Sequence, residues 1–166
     1  MNLFLLDTNF FIQAHRSSYP IDVAESFWRK VEQLANKGYI ISIDKVRDEI
    51  LKNEDVLQKW VESTLPESFF QETKTIECLN NYGELSRWAV SRSNHYQQRA
   101  IDEFLDAKRA DAWLVAYALA YGHDIVTQEI SEPYKKSKIK IPDVCIYYKV
   151  NYCDTVNMFR SLGERF

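Results

Sequence analysis

The apolar run Leu3-Phe4-Leu5-Leu6 stops on an acid, Asp7, followed by the polar pair Thr8-Asn9. A run this short and this uniformly apolar predicts a strand covered on both faces, the state of a central strand in a parallel sheet. Parallel neighbours cannot be joined by tight turns and need helical crossovers. An acid at the end of such a strand is costly to bury unless donors, a cation or a metal compensate it. Asp7 therefore marks both the fold and a candidate site.

The rest of the chain supplies the crossovers. Asp22-x-x-Glu25 has the form of a capping box before a helix with Phe27, Trp28, Val31, Leu34 and Ala35 at helical spacing, closed by Lys37-Gly38. Tyr39 to Ile43 reads as the second strand, and Asp44 as the cap of a helix carrying Val46, Glu49 and Ile50. Residues 54–108 are helical in pattern, with breaks expected at Pro66 and Gly83, giving two or three helices against the sheet edge. Ala110 to Tyr121 is a strongly apolar helix stopped by Gly122. Asp124 to Thr127 reads as a third strand and Ile139-Lys140-Ile141 as another, ahead of a helix opened by Pro142-Asp143 and a last helix over about 154–162. This alternation predicts a three-layer α/β/α sandwich with a central, mainly parallel sheet of four to five short strands. A length of 166 residues suits one domain, 1–166, in which 54–108 forms a longer helical segment.

No apolar run approaches the roughly 18 residues of a membrane span, and the stretch before Asp7 lacks the basic start of a signal peptide. Cys78, Cys145 and Cys153 are odd in number and carry no CxxC spacing, which points to reduced thiols in a cytoplasmic protein with no membrane association. His15, His95 and His123 form no recognisable constellation.

Parallel topology brings the end of each strand and the start of the next helix to one sheet edge, where ligands bind. Asp7 ends the first strand, Glu49 lies early in the helix after the second, Asp111 sits in the first turn of the apolar helix, and Glu129 follows the third strand. These four acids are expected to converge on one rim. Clustered carboxylates repel and resist ionisation unless a cation neutralises them. An all-oxygen donor set favours Mg²⁺ or Mn²⁺, ions that activate a water and stabilise phosphate charge. Asp7, Asp111 and Glu129 are the candidate ligands, with Glu49 either a ligand or a positioner of water. Taken singly, each acid has a plainer explanation, since Asp and Glu favour helix starts. The ordered set carries the argument.

Those residues resemble the PIN-domain family. Leu5-Leu6-Asp7-Thr8-Asn9 is similar to its opening signature, Glu49 within Ile43 to Ile50 to its second acid, Asp111-Ala-Trp-Leu-Val-Ala-Tyr-Ala to its third segment, and Val126-Thr127-Gln128-Glu129 to its strand-end T-x-D motif. The ordered matches are closest to bacterial toxin-like PIN proteins of the VapC type. The resemblance implies an Mg²⁺- or Mn²⁺-dependent endoribonuclease that cuts RNA, held in check by a small antitoxin and often a homodimer. It makes Asp7, Glu49, Asp111 and Glu129 the catalytic metal ligands, with Thr8, Asn9 and Thr127 orienting them. Glu129 departs from the usual Asp. The tail around Pro142-Asp143-Val-Cys145 is similar to a little-characterised PIN-like branch, in which Asp143 either joins the metal site or caps its helix.

A net charge of −3 runs against binding nucleic acid through charge alone. Contacts to RNA then fall to local cations: Lys108 and Arg109 beside Asp111, and Lys135, Lys136, Lys138 and Lys140 after Glu129, which could equally be a solvated charge run. Asn9, standing where a covalent aspartyl phosphatase needs a second Asp, disfavours that chemistry, and the length leaves little room for a DNA-gripping module. The rival of a different kind is a non-catalytic PIN-like binding or regulatory subunit.

Overall fold

The computed structural model describes residues 3–166; Met1 and Asn2, part of the N-terminal stretch read above, lie outside the described residues. In the first half, β1 (Phe4–Leu6) leads to α1 (Thr8–Gln13) and a π-helical turn (Ala14–Ser18), then α2 (Glu25–Asn36), β2 (Ile40–Ile43), α3 (Asp44–Leu51) and α4 (Val56–Thr64). A 3₁₀ turn (Glu67–Phe69) precedes β3 (Phe70–Gln71), α5 (Ile76–Ser91) and α6 (Gln98–Phe104). The chain ends with α7 (Ala110–Tyr121), β4 (Asp124–Val126), α8 (Ile141–Tyr148), β5 (Tyr152–Cys153) and α9 (Thr155–Leu162).

The five strands form one sheet in the order β3-β2-β1-β4-β5, and every pairing is parallel. As the apolar run predicts, β1 is central and wholly buried, with Phe4 opposite Ile40 on one side and Asp124 on the other. Helices cover the sheet in the expected α/β/α arrangement, and the buried side chains join into one cluster. Helix α7 is buried from Ala112 to Ala118 with almost no polar face, as a helix enclosed on all sides should be. It packs against α5, α8 and α3. Gly122 ends it in the left-handed conformation, φ 72°, which only glycine enters without strain. That turn feeds β4 directly into the sheet.

Several local expectations need correction. The pattern Asp22-x-x-Glu25 is not a capping box: α2 starts at Glu25 behind Ala24, which offers no side-chain cap, because the amides of Val23 and Ala24 both turn back to the Pro20 carbonyl. Asp44 opens α3 as its first residue and accepts from the Lys45 amide at 2.8 Å, but it also takes the Thr73 hydroxyl at 2.9 Å, tying α3 to the segment after β3. Within 54–108, Pro66 does separate α4 from the next turn, whereas β3 interrupts the expected all-helical run. Gly83 breaks nothing: it lies inside α5, where Thr75 caps the start and Cys78, Leu85, Trp88 and Ala89 bury a face. Ile139 to Ile141 is not a strand. Both isoleucines are buried, yet Ile141 begins α8, and the last strand is β5 instead.

The Gly83 position yields a direct check. A Cβ there would meet only the Arg87 side chain, at 3.8 Å, an ordinary contact. Gly83→Ala should therefore raise stability by about 0.5–1 kcal/mol in urea unfolding, the helix-propensity gain with no strain against it. A loss of stability would place the backbone break at Gly83 after all.

Candidate active site

The sheet order places the topological switch point between β1 and β4, since the chain leaves β1 toward β2 and returns to its other side at β4. The crevice outside the carboxyl ends of these two strands is where such sheets bind ligands. Asp7 and Thr127 are the residues immediately beyond them.

Asp7 extends the ladder by donating its amide to the Val126 carbonyl at 3.0 Å. Its side chain, only 2% exposed, accepts the Thr8 amide at 2.7 Å on one oxygen and the Thr127 hydroxyl at 2.9 Å on the other. Asn9 accepts the Gln128 amide at 3.0 Å, and the Thr127 hydroxyl oxygen accepts the Glu129 amide at 3.1 Å. The segment 127–129 is thus clamped onto 7–9. Thr8 and Thr127 donate to the acids, whereas Asn9 serves as an acceptor for the Gln128 amide.

Glu49, on α3, reaches across to the same rim: one oxygen accepts the Thr8 hydroxyl at 2.6 Å and the other the Ala110 amide at 2.8 Å. Glu129 accepts the Ile141 amide at 2.9 Å and pairs with Lys138 at 3.3 Å. Asp111, in the first turn of α7, makes no hydrogen bond or ion pair with any described residue. Electrostatics tie the four together. Burial, then the charges of Asp111 and Glu129, push the Asp7 carboxyl well above its ordinary range, against the lowering effect of its Thr127 and Thr8 hydrogen bonds. Asp111 is raised to about 6 by burial, then by Glu129 and Glu49, with Lys138 and Arg109 opposing. Against its own burial, the charges of Glu129 and Asp111 hold the Lys138 ammonium above its usual value.

The donor set is all oxygen, which suits a hard divalent cation. Among the described residues no three His, Cys, Asp or Glu side chains gather closely enough to hold an ion by themselves. Mg²⁺ commonly keeps several waters and takes one or two carboxylates. Asp7 and Asp111 fit that requirement: Asp7 is buried and Asp111 half-buried, the charges of Asp111 and Glu129 raise the first and those of Glu129 and Glu49 the second, and neither has a protein cation within pairing distance among the described residues. Glu49 and Glu129 have every oxygen already engaged by one protein donor. Thiol chemistry is out of reach, since burial, then Asp7 and Glu129, push the neighbouring Cys145 thiol up to about 12.

The cations proposed for RNA are dispersed. Arg109 pairs with Glu103 and Lys135 with Glu132, while Lys108 and Lys136 are exposed. Of the lysines expected to border the rim after Glu129, Lys138 does so, as the ion-pair partner of Glu129. Asp143 neither caps α8 nor joins the rim. It accepts the Ser131 hydroxyl at 2.5 Å and the Glu132 amide at 3.1 Å, holding the loop that follows Glu129.

Strand order and switch point give the chain a PIN-like α/β/α fold, with the acid rim at its ligand-binding edge. A chain of the VapBC2 complex from Rickettsia felis, solved bound to a DNA fragment from their promoter, shares this fold with a TM-score of 0.53 and 16% identity, over 92% of the present chain and 98% of its own. The chain belongs to the family described as domain of unknown function DUF4411, whose model matches residues 4–166. No curated protein matches it in sequence. No helix of the described residues is long and apolar enough to cross a membrane.

The raised Asp111 carboxyl sets a sign for stability. Folded, it keeps its proton up to about 6, whereas its ordinary value is 3.8. The native state therefore binds the extra proton between those values, and the stability due to this group, complete below the lower one, is lost as pH rises through the upper. With chelator present, Asp111→Asn should flatten that slope and stabilise the protein at pH 7.5 by about 1–3 kcal/mol. A variant less stable than the parent at pH 7.5 would mean that Asp111 supports the fold.

Proposed function

We propose that this chain is a Mg²⁺- or Mn²⁺-dependent endoribonuclease, hydrolysing RNA phosphodiester bonds as the toxin of a bacterial toxin–antitoxin pair. The observation that carries the reading is a pair of acids at the switch point, buried Asp7 and half-buried Asp111, both held above their ordinary range by desolvation and neighbouring carboxylates, with no protein cation paired to either among the described residues. Such acids stay protonated to higher pH unless a counter-charge offsets them. A divalent cation bound there would supply it, lower the pKa of a water and offset charge on the phosphate.

The protein's own groups do the positioning. Thr8 and Thr127 fix the Asp7 carboxylate, and Asn9 fixes the strand end that carries Glu129. Glu49 is held by the Thr8 hydroxyl and the Ala110 amide, and in this reading it orients the attacking water. Lys138 limits the negative potential on the Glu129 side, where an RNA phosphate must approach. Lys108, Arg109, Lys135 and Lys136 serve the flanking phosphates. The fold shared with a chain of the VapBC2 complex supports a small antitoxin partner; a homodimeric toxin acting in the cytoplasm completes the proposal.

A second reading has one observation in its favour. Lys138 already neutralises part of the rim, as a side chain would in a PIN-like binding or regulatory subunit that has lost catalysis. Cleavage separates the two. With Mn²⁺ and single-stranded RNA, Asp7→Asn and Asp111→Asn should each reduce kcat/KM by at least about 100-fold with the fold intact by circular dichroism. Glu129→Gln should cost less, about tenfold, because its oxygens are engaged by Ile141 and Lys138. Wild-type protein that leaves RNA uncut across a Mg²⁺ and Mn²⁺ titration would favour the regulatory reading.

A further inference from the structure

Beside the rim, across β4 and β5, a cleft of about 620 Å³ opens along Thr127 to Ser131 on one wall and Tyr152 to Asp154 with Asn157 on the other. Thr127 and Glu129 belong to both the cleft and the acid rim, so whatever fills the cleft lies next to the scissile position. We propose that it receives one unpaired base of the RNA, directly flanking the phosphate that is cut. This rests on the nuclease reading and adds a place where sequence is read.

The lining decides the class of ligand. Its charged members are Glu129 and Asp154, and Lys, Arg and His are absent from it. The Asp154 carboxylate caps α9 by accepting the Asn157 amide at 2.7 Å. A phosphate entering here would meet carboxylates, whereas a neutral base would not. Two apolar surfaces are available to a flat ring: Ile130 is 71% exposed and Tyr152 37%. Unpaired RNA bases are held in this manner, stacked on a side-chain face and hydrogen-bonded along an edge.

The edge groups are also present. Gln128 donates its amide nitrogen to Thr155, which leaves its carbonyl oxygen as an acceptor. Asn157 accepts from Arg160 at 3.3 Å, which leaves its amide nitrogen as a donor. Neither remaining group has a partner among the described residues. Each base presents a donor beside an acceptor on its pairing edge, the complement of this pair. Both walls are fixed in advance: the Thr127 amide donates to the Cys153 carbonyl at 3.0 Å, Gln128 is tied to Asn9 and Thr155, and Asp143 holds Ser131. The volume falls within the range that small-ligand sites occupy, which is wide enough for a nucleoside.

The test reads binding apart from cleavage. The full chain, ¹⁵N-labelled and held with chelator, is titrated with adenosine, guanosine, cytidine, uridine and, separately, inorganic phosphate. At least one nucleoside should shift the Gln128 and Asn157 side-chain amide signals along a saturable millimolar curve, with phosphate leaving them in place. Asn157→Ala should weaken that binding about threefold to tenfold, the loss of one neutral hydrogen bond. If no nucleoside moves either signal, or phosphate moves them as strongly, the base subsite is wrong even for an active nuclease. Conversely, nucleoside binding by a protein that cuts no RNA would remove the nuclease reading and keep the subsite. In the active protein, Gln128→Ala and Asn157→Ala should change the ratio of kcat/KM values across oligonucleotides differing in one base; unchanged ratios would overturn the assignment.

Discussion

The hydrogen bond from the Thr127 hydroxyl to Asp7, 2.9 Å across the mouth of β1 and β4, is the contact on which the site depends. It joins the first and fourth strands at the one place where the sheet reverses its order. Without it the Asp7 carboxylate would keep only its bond to the Thr8 amide while facing the charges of Asp111 and Glu129. A threonine suits the task because its hydroxyl donates to Asp7 while its oxygen accepts from Glu129, so one atom organises two acids. Repulsion within the rim is thereby contained by the sheet itself.

The two glutamates solve a second problem. Helices α7 and α8 are preceded by Arg109 and Lys140, neither of which caps with its side chain. The first amide of α7 donates instead to Glu49, and the first amide of α8 to Glu129. Each glutamate is thus a cap supplied from a distant part of the sequence, favourably placed against the positive end of a helix. Site and scaffold are therefore hard to separate at these positions. A change at Glu49 or Glu129 touches a helix terminus as well as the rim, whereas Asp111 has no such structural duty. Comparing Asp111 with Glu129 consequently distinguishes chemistry from architecture.

What was legible in the sequence follows the strength of each local signal. Leu3 to Leu6, Ala110 to Tyr121 and Gly122 declare themselves because composition, length and stop residue agree. The four acids could be ordered along one rim because parallel topology fixes where strand ends go. Strands β3 and β5 pair through only two residues each, too few for any period to show. Ile139 to Ile141 alternates like a strand, yet its last amide is claimed by Glu129, a contact 12 residues away that local pattern cannot contain. Gly83 was misread because tertiary burial along α5 outweighs the roughly 1 kcal/mol that glycine costs a helix. Lys138 was one of four lysines the sequence put near Glu129, and only the folded contact singles it out as the partner.

On the proposed reading, the acidic net charge is no obstacle to cutting RNA. Charge on this surface is arranged by neighbourhood: acids on the rim, Lys138 against Glu129, lysines along the following loop, and a cleft beyond them without cations. A polyanion gains little from the molecule as a whole and must be held by a few contacts near the cut. On the proposed reading, neutralising the Asp7–Asp111 pair removes the repulsion that an incoming phosphate would feel, so cation and RNA favour each other's binding by thermodynamic linkage. The acids that make the metal-free rim unfavourable to RNA are then the same groups that make the loaded rim selective for it, and a base seated in the neighbouring cleft can decide which phosphate arrives there.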